Sequence, residues 1–233
     1  MNKKLDKINI SGWGGYPIQK AKIVYPENIE QILVEVKKSE LIARGNGRAY
    51  GDSSINEKNT INMKYLNHIL SFDDNSGILV VETGILLNDI INTFLPRGWF
   101  PYVTPGSKFV TVGGLIAADV HGKNHHKEGS FRNFIEWFEI VNSKGEIKKC
   151  SRNENSDLFE WTIGGMGLTG IIIRAAIKLR PIKTSWIKQK TLVAKNIDQT
   201  LEIFENNMNV TYSVAWINST KKMDGIGQSL IML

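Results

Sequence analysis

The residues best suited to chemistry in this sequence lie in a glycine-rich loop, ARGNGRAYGD, at residues 43–52. Gly45, Gly47 and Gly51 directly follow a short apolar run, where glycines let backbone N–H groups converge on an anion without obstruction by Cβ atoms. Arg44 and Arg48 add positive charge and can bind phosphate oxygens in a forked geometry. The loop therefore predicts a phosphate site, with an ordinary surface turn as the simpler alternative.

Two familiar phosphate loops do not match this spacing. The dinucleotide fingerprint places its third glycine three residues after the second and starts a helix there, whereas Gly51 follows Gly47 by four residues. The residues that come next, SSINEKNTIN, do not suit that helix, and the Gly-Lys-Ser/Thr ending of a nucleotide-triphosphate loop is missing from the sequence. We therefore expect a different type of pyrophosphate cradle.

A second glycine-rich segment, TPGSKFVTVGG, occupies residues 104–114. It supplies backbone amides and hydroxyl groups from Thr104, Gly106, Ser107, Thr111, Gly113 and Gly114. The last two glycines open the apolar stretch LIAADV, so the N-terminus of a helix there can face a ligand. A tight packing turn is the alternative, but two such loops together indicate an extended cofactor that contains a pyrophosphate.

The hexapeptide HGKNHH at residues 121–126 suggests a metal site, because His121 and His125 are four residues apart. However, no His-Glu-x-x-His arrangement and no carboxylate at a matching helical offset accompany them, so we expect no metal. Solvated histidines on a loop and a strip of polar side chains along a cofactor edge remain as interpretations.

The charge and cysteine content exclude several other functions. The net charge is +6, but the lysines occur as scattered pairs at 37–38, 148–149 and 221–222 with acidic residues between them, which does not resemble a nucleic-acid site. Attraction to phosphorylated or membrane-surface substrates fits this charge equally well. The lone Cys150 excludes an internal disulfide and a multi-cysteine zinc site. Because neither a signal peptide nor a membrane span is evident in the sequence, we expect a cytoplasmic protein.

The elements that must position these loops are short strands interleaved with helices. Apolar spacing and turn residues predict strands at 23–25, 41–43, 78–82, 134–141, 146–150, 170–179, 185–193 and 212–217, and helices at 28–38, 86–94, 157–162 and 197–207. The terminal SLIML resembles a strand that is cut short. The pattern predicts an α+β fold, because it lacks the regular strand–helix alternation of a doubly wound parallel sheet.

Four motifs in order, ARGNGRAYGD, TPGSKFVTVGG, ADVHGKNHH and GGMGLTGIII, resemble the FAD domain of oxidoreductases of the p-cresol methylhydroxylase and vanillyl-alcohol oxidase type. Within that family they are most similar to the decaprenylphosphoryl-ribose 2-oxidase branch. The resemblance implies an FAD-binding domain of two α+β subdomains over residues 1–182 and the beginning of a substrate domain over 183–233. Family members continue well past this length, so it also implies a C-terminally truncated chain, whose partner could be a separate chain that supplies the missing region.

The resemblance assigns site residues by motif. The cofactor residues that it implies are Ala43, Arg44, Gly45, Asn46, Gly47, Arg48, Ala49, Tyr50, Gly51, Asp52 and Ser53 around the pyrophosphate, Gly106, Thr111, Val112, Gly113 and Gly114 along the centre, Ala118, Asp119, Val120 and His121 at the flavin, and Ile172 beside the adenine. Tyr50, Lys123 and Trp216 would border the substrate, and His121 is the candidate catalytic residue.

The chain departs from the family pattern at three of these positions. Arg48 stands where related sugar-lactone and alditol oxidases carry a histidine that bonds covalently to the flavin, so the expected FAD is non-covalent. Ala49 replaces a frequent serine, and Ala118 replaces a frequent cysteine. These departures leave the type of cofactor unchanged and alter how it is held.

By resemblance, the implied reaction is hydride transfer from a sugar hydroxyl carbon to the flavin. The substrate of the most similar branch is a polyprenyl-phosphate ribose that is oxidised at its 2-hydroxyl in cell-wall polysaccharide synthesis, and Lys123 suits its phosphate. Such a lipid-linked substrate allows peripheral association with the inner membrane face. An aldonolactone or alditol oxidase and a truncated, non-catalytic FAD-binding protein are the alternatives.

Overall fold

A computed structural model of the chain describes residues 7–220 and 225–233. The predicted lysine pair at 221–222 therefore lies outside the described residues. The strands are β1 (Ile8–Ile10), β2 (Gln19–Ala21), β3 (Ile23–Val24), β4 (Ile42–Arg44), β5 (Thr60–Asn62), β6 (Ile69–Asp73), β7 (Ile78–Glu82), β8 (Trp99–Pro101), β9 (Ile135–Val141), β10 (Ile147–Ser151), β11 (Ile171–Pro181), β12 (Thr191–Ala194), β13 (Val214–Ile217) and β14 (Ser229–Met232). The helices are α1 (Ile29–Val36), α2 (Leu87–Phe94), α3 (Val112–Ala117), α4 (His125–Glu128), α5 (Ser156–Thr162) and α6 (Ile197–Glu205). The predicted α+β class is confirmed.

The first glycine loop directly follows β4, an edge strand of a small parallel sheet. The strand order of this sheet is β3-β5-β4. Helix α1 covers this sheet and places the buried Ile32 against Ile61 of the central strand. The Asn28 side chain caps α1 by accepting a hydrogen bond from the backbone N–H of Gln31 at 3.0 Å, as the sequence predicts. The loop at 45–54 begins where β4 ends, so the packing of α1 and β5 fixes its starting point.

A larger antiparallel sheet in the order β10-β9-β11-β7-β6 forms the second unit, and β8 also pairs with β11. Strand β11 is buried along most of its length, which explains its nearly continuous run of apolar residues. Helices α2, α3 and α5 contribute to the same core, in which Phe138 and Phe159 stack with ring centroids 5.2 Å apart. The strands and helices predicted between residues 78 and 179 are confirmed within a few residues.

The C-terminal part forms a third sheet in the order β12-β14-β13, and α6 packs on one of its faces. There the buried hydroxyls of Thr200 and Ser229 form a hydrogen bond at 2.7 Å. The strand predicted at 185–193 is wrong in its bounds, since β12 covers only Thr191–Ala194. The ladder between β12 and β14 covers these four residues and is extended by two backbone hydrogen bonds between Lys190 and Leu233, whereas residues 183–189 have no assigned opposing strand in the described part of the chain.

Two kinds of feature are absent from the described ranges. Within residues 7–220 and 225–233, no helix is both long and apolar enough to cross a membrane. In the same ranges, no group of three or more His, Cys, Asp or Glu side chains is placed to hold a metal ion.

Gly84 offers a test of the packing between the parallel sheet and the larger antiparallel sheet. A Cβ atom there would lie closer than 3.0 Å to the carbonyl oxygens of both Met63 and Leu66, and the Gly84 N–H also donates to the Leu66 carbonyl at 2.8 Å. We expect Gly84→Ala to lower the free energy of unfolding by about 1–3 kcal/mol, because the backbone must shift to relieve the overlap. Urea denaturation measures this change. Gly14→Ala is the matched control, since no atom lies within 4 Å of its Cβ position; equal midpoints for the two variants would contradict the prediction.

Candidate functional site

An open cleft with an empty volume of about 920 Å³ lies where the loops of the first two sheets meet. The residues that line it are Ala43, Gly45, Asn46, Gly47, Arg48, Ala49, Ser53, Ser54, Met63, Thr83, Val110, Thr111, Gly113, Gly114, Leu115, Ala117, Ala118, Val120, Met166, Gly167, Gly170 and Ile172. Arg48 is the only charged side chain in this lining, so the cleft suits an anionic group next to an apolar one.

The loop from Gly45 to Ser54 keeps its backbone donors free. Within the described ranges, the structure shows no hydrogen bond that is donated by a backbone N–H of these residues. Gly47 has φ +66°, a conformation that side chains with a Cβ rarely adopt. Unpaired N–H groups that surround a cleft form an anion-binding concavity. The first glycine loop therefore has the geometry that its sequence predicts.

The glycines in its lining, which have no side chain, also give the cleft its width. A Cβ on Gly45 would overlap the hydroxyl of Thr111, and a Cβ on Gly170 would overlap the carbonyl oxygen of Val141. Six glycines line the cleft in total: Gly45, Gly47, Gly113, Gly114, Gly167 and Gly170. They let a ligand approach the backbone closely, which a lining of larger residues would prevent.

The second glycine loop lines the cleft in a different way from the prediction. Helix α3 begins at Val112, but its first N–H groups are already paired: Val112 donates to Ile85, Gly113 donates to Thr83 and Gly114 donates to the Thr111 hydroxyl. The N-terminus of α3 does lie at the cleft, because Gly113 and Gly114 line it, but its paired N–H groups are not free to bind a ligand. Its glycines contribute open surface instead.

Arg44 is also placed differently from its predicted role. Its guanidinium donates to the Ser11 carbonyl at 2.7 Å and to the Ser54 hydroxyl at 3.2 Å, and it lies beneath Gly47. Burial lowers the pKa of Arg44 from its usual value. Arg44 therefore supports the loop from behind and does not face the cleft.

Several other predicted cofactor residues lie outside the lining of this cleft. Val112 is fully buried in the core, and the Asp119 carboxylate binds the backbone N–H of Arg132 at 3.0 Å. The remaining residues of this group are exposed: Tyr50, Gly51, Asp52, Gly106 and His121. The His121 ring lies 5.3 Å from that of His125.

The lining also contains residues that were not assigned from the sequence. Thr83 donates its hydroxyl to the carbonyl of Ile172, which joins the ends of β7 and β11 beside the cleft. Met166 has φ +53°, and its N–H donates to Ala117 at 2.8 Å. The remaining residues of this set are Ser54, Met63, Val110, Leu115, Ala117, Gly167 and Gly170. The cluster GGMGLTG was an available signal for the last two glycines, and Thr83-Gly84 directly after β7 was another.

A second cleft, with an empty volume of about 2110 Å³, lies between β8, the end of β11 and the third sheet. Its cationic lining residues are Lys123, Arg180, Lys183, Lys188 and Lys190, and its described lining contains no Asp or Glu side chain. The Lys123 carbonyl accepts a hydrogen bond from Ser213 at 2.9 Å. Of the three predicted substrate residues, only Lys123 lines this cleft, since the exposed Tyr50 and Trp216 line neither.

The last residues of HGKNHH and the following Lys127 make contacts within the second unit and with residues just before β13. Asn124 is fully buried and donates to the Tyr102 carbonyl at 2.7 Å. The His126 ring contacts the Val210 carbonyl at 2.9 Å, and Lys127 donates to the Asn209 carbonyl. These three residues therefore have structural contacts, whereas a strip of polar groups along a cofactor was one expectation.

Comparison with known proteins indicates an FAD-binding domain. Residues 21–151 match the family described as FAD binding domain. The chain is 36% identical to the decaprenylphosphoryl-beta-D-ribose oxidase of Mycolicibacterium smegmatis over 95% of this chain and 50% of that protein. It is 29% identical to cytokinin dehydrogenase 3 of Arabidopsis thaliana over 71% of this chain and 34% of that protein. It is also 30% identical to the D-lactate dehydrogenase of Anaerostipes hadrus over 60% of this chain and 31% of that protein. The chain thus spans half the length of the ribose oxidase, and a smaller share of the other two.

The first cleft fits the cofactor of this family. Free N–H groups from Gly45 onward and the charge of Arg48 suit the pyrophosphate of FAD, and the glycine surfaces leave room for its extended shape. Apolar residues such as Leu115, Val120 and Met166 suit an aromatic ring system. Because the family match covers more than half of the chain, the chain belongs to the FAD-binding domain family of p-cresol methylhydroxylase-type oxidoreductases.

Proposed function

We propose that this chain binds FAD non-covalently in the first cleft and forms the cofactor part of an oxidoreductase that oxidises a sugar hydroxyl. In this proposal, residues 1–182 are the FAD domain and residues 183–233 begin the substrate domain. The observation that carries it is the run of unpaired backbone N–H groups from Gly45 to Ser54 in a glycine-lined cleft. Buried backbone donors are normally paired, so the unpaired donors of the loop residues that line the cleft are available to an anionic ligand.

The composition of the cleft supports non-covalent binding. No histidine or cysteine is among the residues that line it in the described ranges. Arg48 occupies the position at which covalent relatives carry histidine, and a guanidinium does not form that bond. Its charge instead favours the phosphate oxygens, to which Arg can donate two parallel hydrogen bonds.

FAD supplies the hydride acceptor when it is bound, and the protein supplies orientation and the surrounding electrostatics. The N–H groups of the first loop would hold the diphosphate, and Ala118, Val120 and Met166 would exclude water from the ring system. Val120 lines the first cleft and Lys123, three residues later, lines the second. The substrate would therefore meet the cofactor near this short segment.

The second cleft supports a phosphorylated, lipid-linked sugar as the substrate. Its lining combines four lysines with Phe100, Trp186 and Ile187, a combination that suits a phosphate attached to an apolar chain. The fifth cation, Arg180, is paired with the Glu128 carboxylate at 3.7 Å. The ribose oxidase relative carries such a substrate in its name, which supports a polyprenyl-phosphate ribose here, and oxidation at its 2-hydroxyl rests on the family resemblance. Peripheral contact with the inner membrane face would follow from this substrate. The role of His121 as catalytic residue, and of Tyr50 and Trp216 as substrate residues, rests on the resemblance alone.

Two other functions remain as alternatives. An aldonolactone or alditol oxidase is disfavoured by Arg48, for the reason given above. A non-catalytic FAD-binding protein is the other alternative, and a sugar donor would not reduce its bound flavin. Reduction of the bound flavin by a sugar donor would separate the catalytic functions from the non-catalytic one.

Gly47→Val tests the phosphate cradle. Valine is strained at φ +66°, and its Cβ would overlap the buried Arg44 guanidinium, so we expect FAD binding to be lost. Fluorescence titration with FAD measures the affinity. Gly145→Val is the matched control, because Gly145 has φ +77° in the turn between β9 and β10, far along the chain from either glycine loop. Equal FAD affinity in both variants would return the loop to a simple surface turn.

Acid precipitation tests the type of attachment. Because Arg48 replaces the covalent histidine, we expect all of the flavin in the holoprotein to appear in the supernatant after acid treatment. Absorbance of supernatant and pellet measures the two fractions. Yellow colour that stays with the pellet would show a covalent bond and overturn this part of the proposal.

Lys123→Ala tests the second cleft. Removal of one exposed cation is expected to weaken binding of a polyprenyl-phosphate ribose several-fold, on the order of 1 kcal/mol, while the FAD content stays unchanged. The perturbation of the flavin absorbance spectrum by the sugar lipid reports this affinity. Lys144→Ala, in the exposed turn before Gly145, is the control for the loss of one positive charge. The proposal for this cleft fails if the two variants bind the sugar lipid equally.

A further inference from the structure

The first glycine loop requires support from outside itself. From Gly45 to Ser54, no backbone N–H in the described chain donates a hydrogen bond, so neither a helical nor a strand ladder holds these ten residues. Local hydrogen bonds occur only in its last turn, where the Ser53 hydroxyl donates to the Tyr50 carbonyl at 3.3 Å and the Ile55 N–H donates to the Asp52 carbonyl at 2.8 Å. Fixing each of the preceding residues costs about 1–2 kcal/mol in entropy. The contacts that select one conformation must therefore come from neighbouring segments.

The segment Ser11–Trp13 contacts the loop at two residues directly and also holds Arg44, which precedes the loop. The Trp13 N–H donates to the Ala49 carbonyl at 2.8 Å, and the Ser11 carbonyl accepts from the Arg44 guanidinium at 2.7 Å. In addition, the Arg48 guanidinium lies over the Trp13 ring, 4.6 Å from its centroid. The segment thus contacts the base, the middle and the charged side chain of the loop.

Gly12 lets the two backbones come this close. It is buried, and a Cβ on it would lie closer than 3.0 Å to the carbonyl oxygens of Ala49 and Gly51. Because both obstacles are backbone atoms, they cannot move aside without moving the loop. The hairpin of β1 and β2, with Ile10 opposite Gln19, anchors the segment on its other side.

These residues lie before the part of the chain that matches the FAD-binding family, which begins at residue 21. Asn46 provides one more external contact, from its side-chain amide to the Phe109 carbonyl at 2.9 Å, but that contact comes from the second glycine loop within the matched region. Only Ser11–Trp13 adds an element that the family match does not include.

We propose that Ser11–Trp13 is a positioning element of the cofactor site, which holds the first glycine loop in the conformation that accepts a diphosphate. It touches the loop and not the ligand. This inference rests on the proposed FAD site and deepens it. If the segment is released, the loop spends less time in the competent conformation, and the apparent affinity falls by the same fraction.

Trp13→Ala is the central variant for the test, and Trp13→Phe is its conservative counterpart. Trp13→Ala removes the aromatic face beneath Arg48, and we expect FAD affinity to fall by roughly three- to tenfold, with Trp13→Phe recovering most of it. Trp137→Ala is the matched control, because Trp137 also lies under a cation, Lys149, at 5.0 Å, but lines neither cleft. Its FAD affinity should equal that of the unmodified protein.

A second measurement on the FAD-free protein separates this inference from the proposed function. Trypsin cleaves after arginine, and Arg48 lies in the loop against Trp13. We expect native-state cleavage after Arg48 to be several-fold faster in Trp13→Ala than in Trp137→Ala. Urea midpoints of the two variants identify any general loss of stability.

The outcomes are distinct. If the unmodified protein does not bind FAD, the proposed function fails, and the positioning role in an FAD site fails with it, whereas the cleavage rates still report whether Trp13 holds the loop. If the unmodified protein binds FAD but Trp13→Ala binds it within twofold as well, only the positioning role is overturned. Equal losses of affinity in Trp13→Ala and Trp137→Ala would also overturn it, because they indicate a general effect on stability.

Discussion

The requirement that a stretch of backbone keep its hydrogen-bond donors unpaired is the constraint on which the rest of this structure depends. Most folded backbone pairs its own N–H groups, and the loop from Gly45 to Ser54 does not. Its start is fixed by the parallel strands below it, its charged side by Arg44, and its outer side by Trp13. The surrounding elements therefore carry the order that the loop lacks.

The parallel sheet and the larger antiparallel sheet meet at this loop because small residues allow a close approach of their backbones. Gly84 fits between the carbonyls of Met63 and Leu66, and Gly113 packs against Thr83. These contacts join the parallel sheet to the antiparallel one and leave a cleft between their loops. The shape of the cleft comes from glycines, which have no side chain. The stability of this part of the fold comes from the apolar core around β7, β11 and α2.

The sequence predicts the elements with strong periodicity and the glycine-rich loops well. Helix α1 and strand β11 are found where their apolar patterns place them, and the first glycine loop lines the cleft. The sequence does not predict features that depend on contacts with residues far away in the chain. The edge strand β6 has mostly exposed residues and no pattern, and the burial of Arg44 depends on Ser11, 33 residues earlier. The pairing of the α3 donors with Thr83 and Ile85 likewise needs the fold.

Strand β11 has a mechanical consequence for the two clefts. Ile172, near its start, lines the first cleft, and Arg180, near its end, lines the second. At a rise of about 3.3 Å per residue, these positions are roughly 26 Å apart, and β7, β8 and β9 pair with the strand along the way. The strand works as a fixed spacer, so the two binding regions cannot approach each other along it.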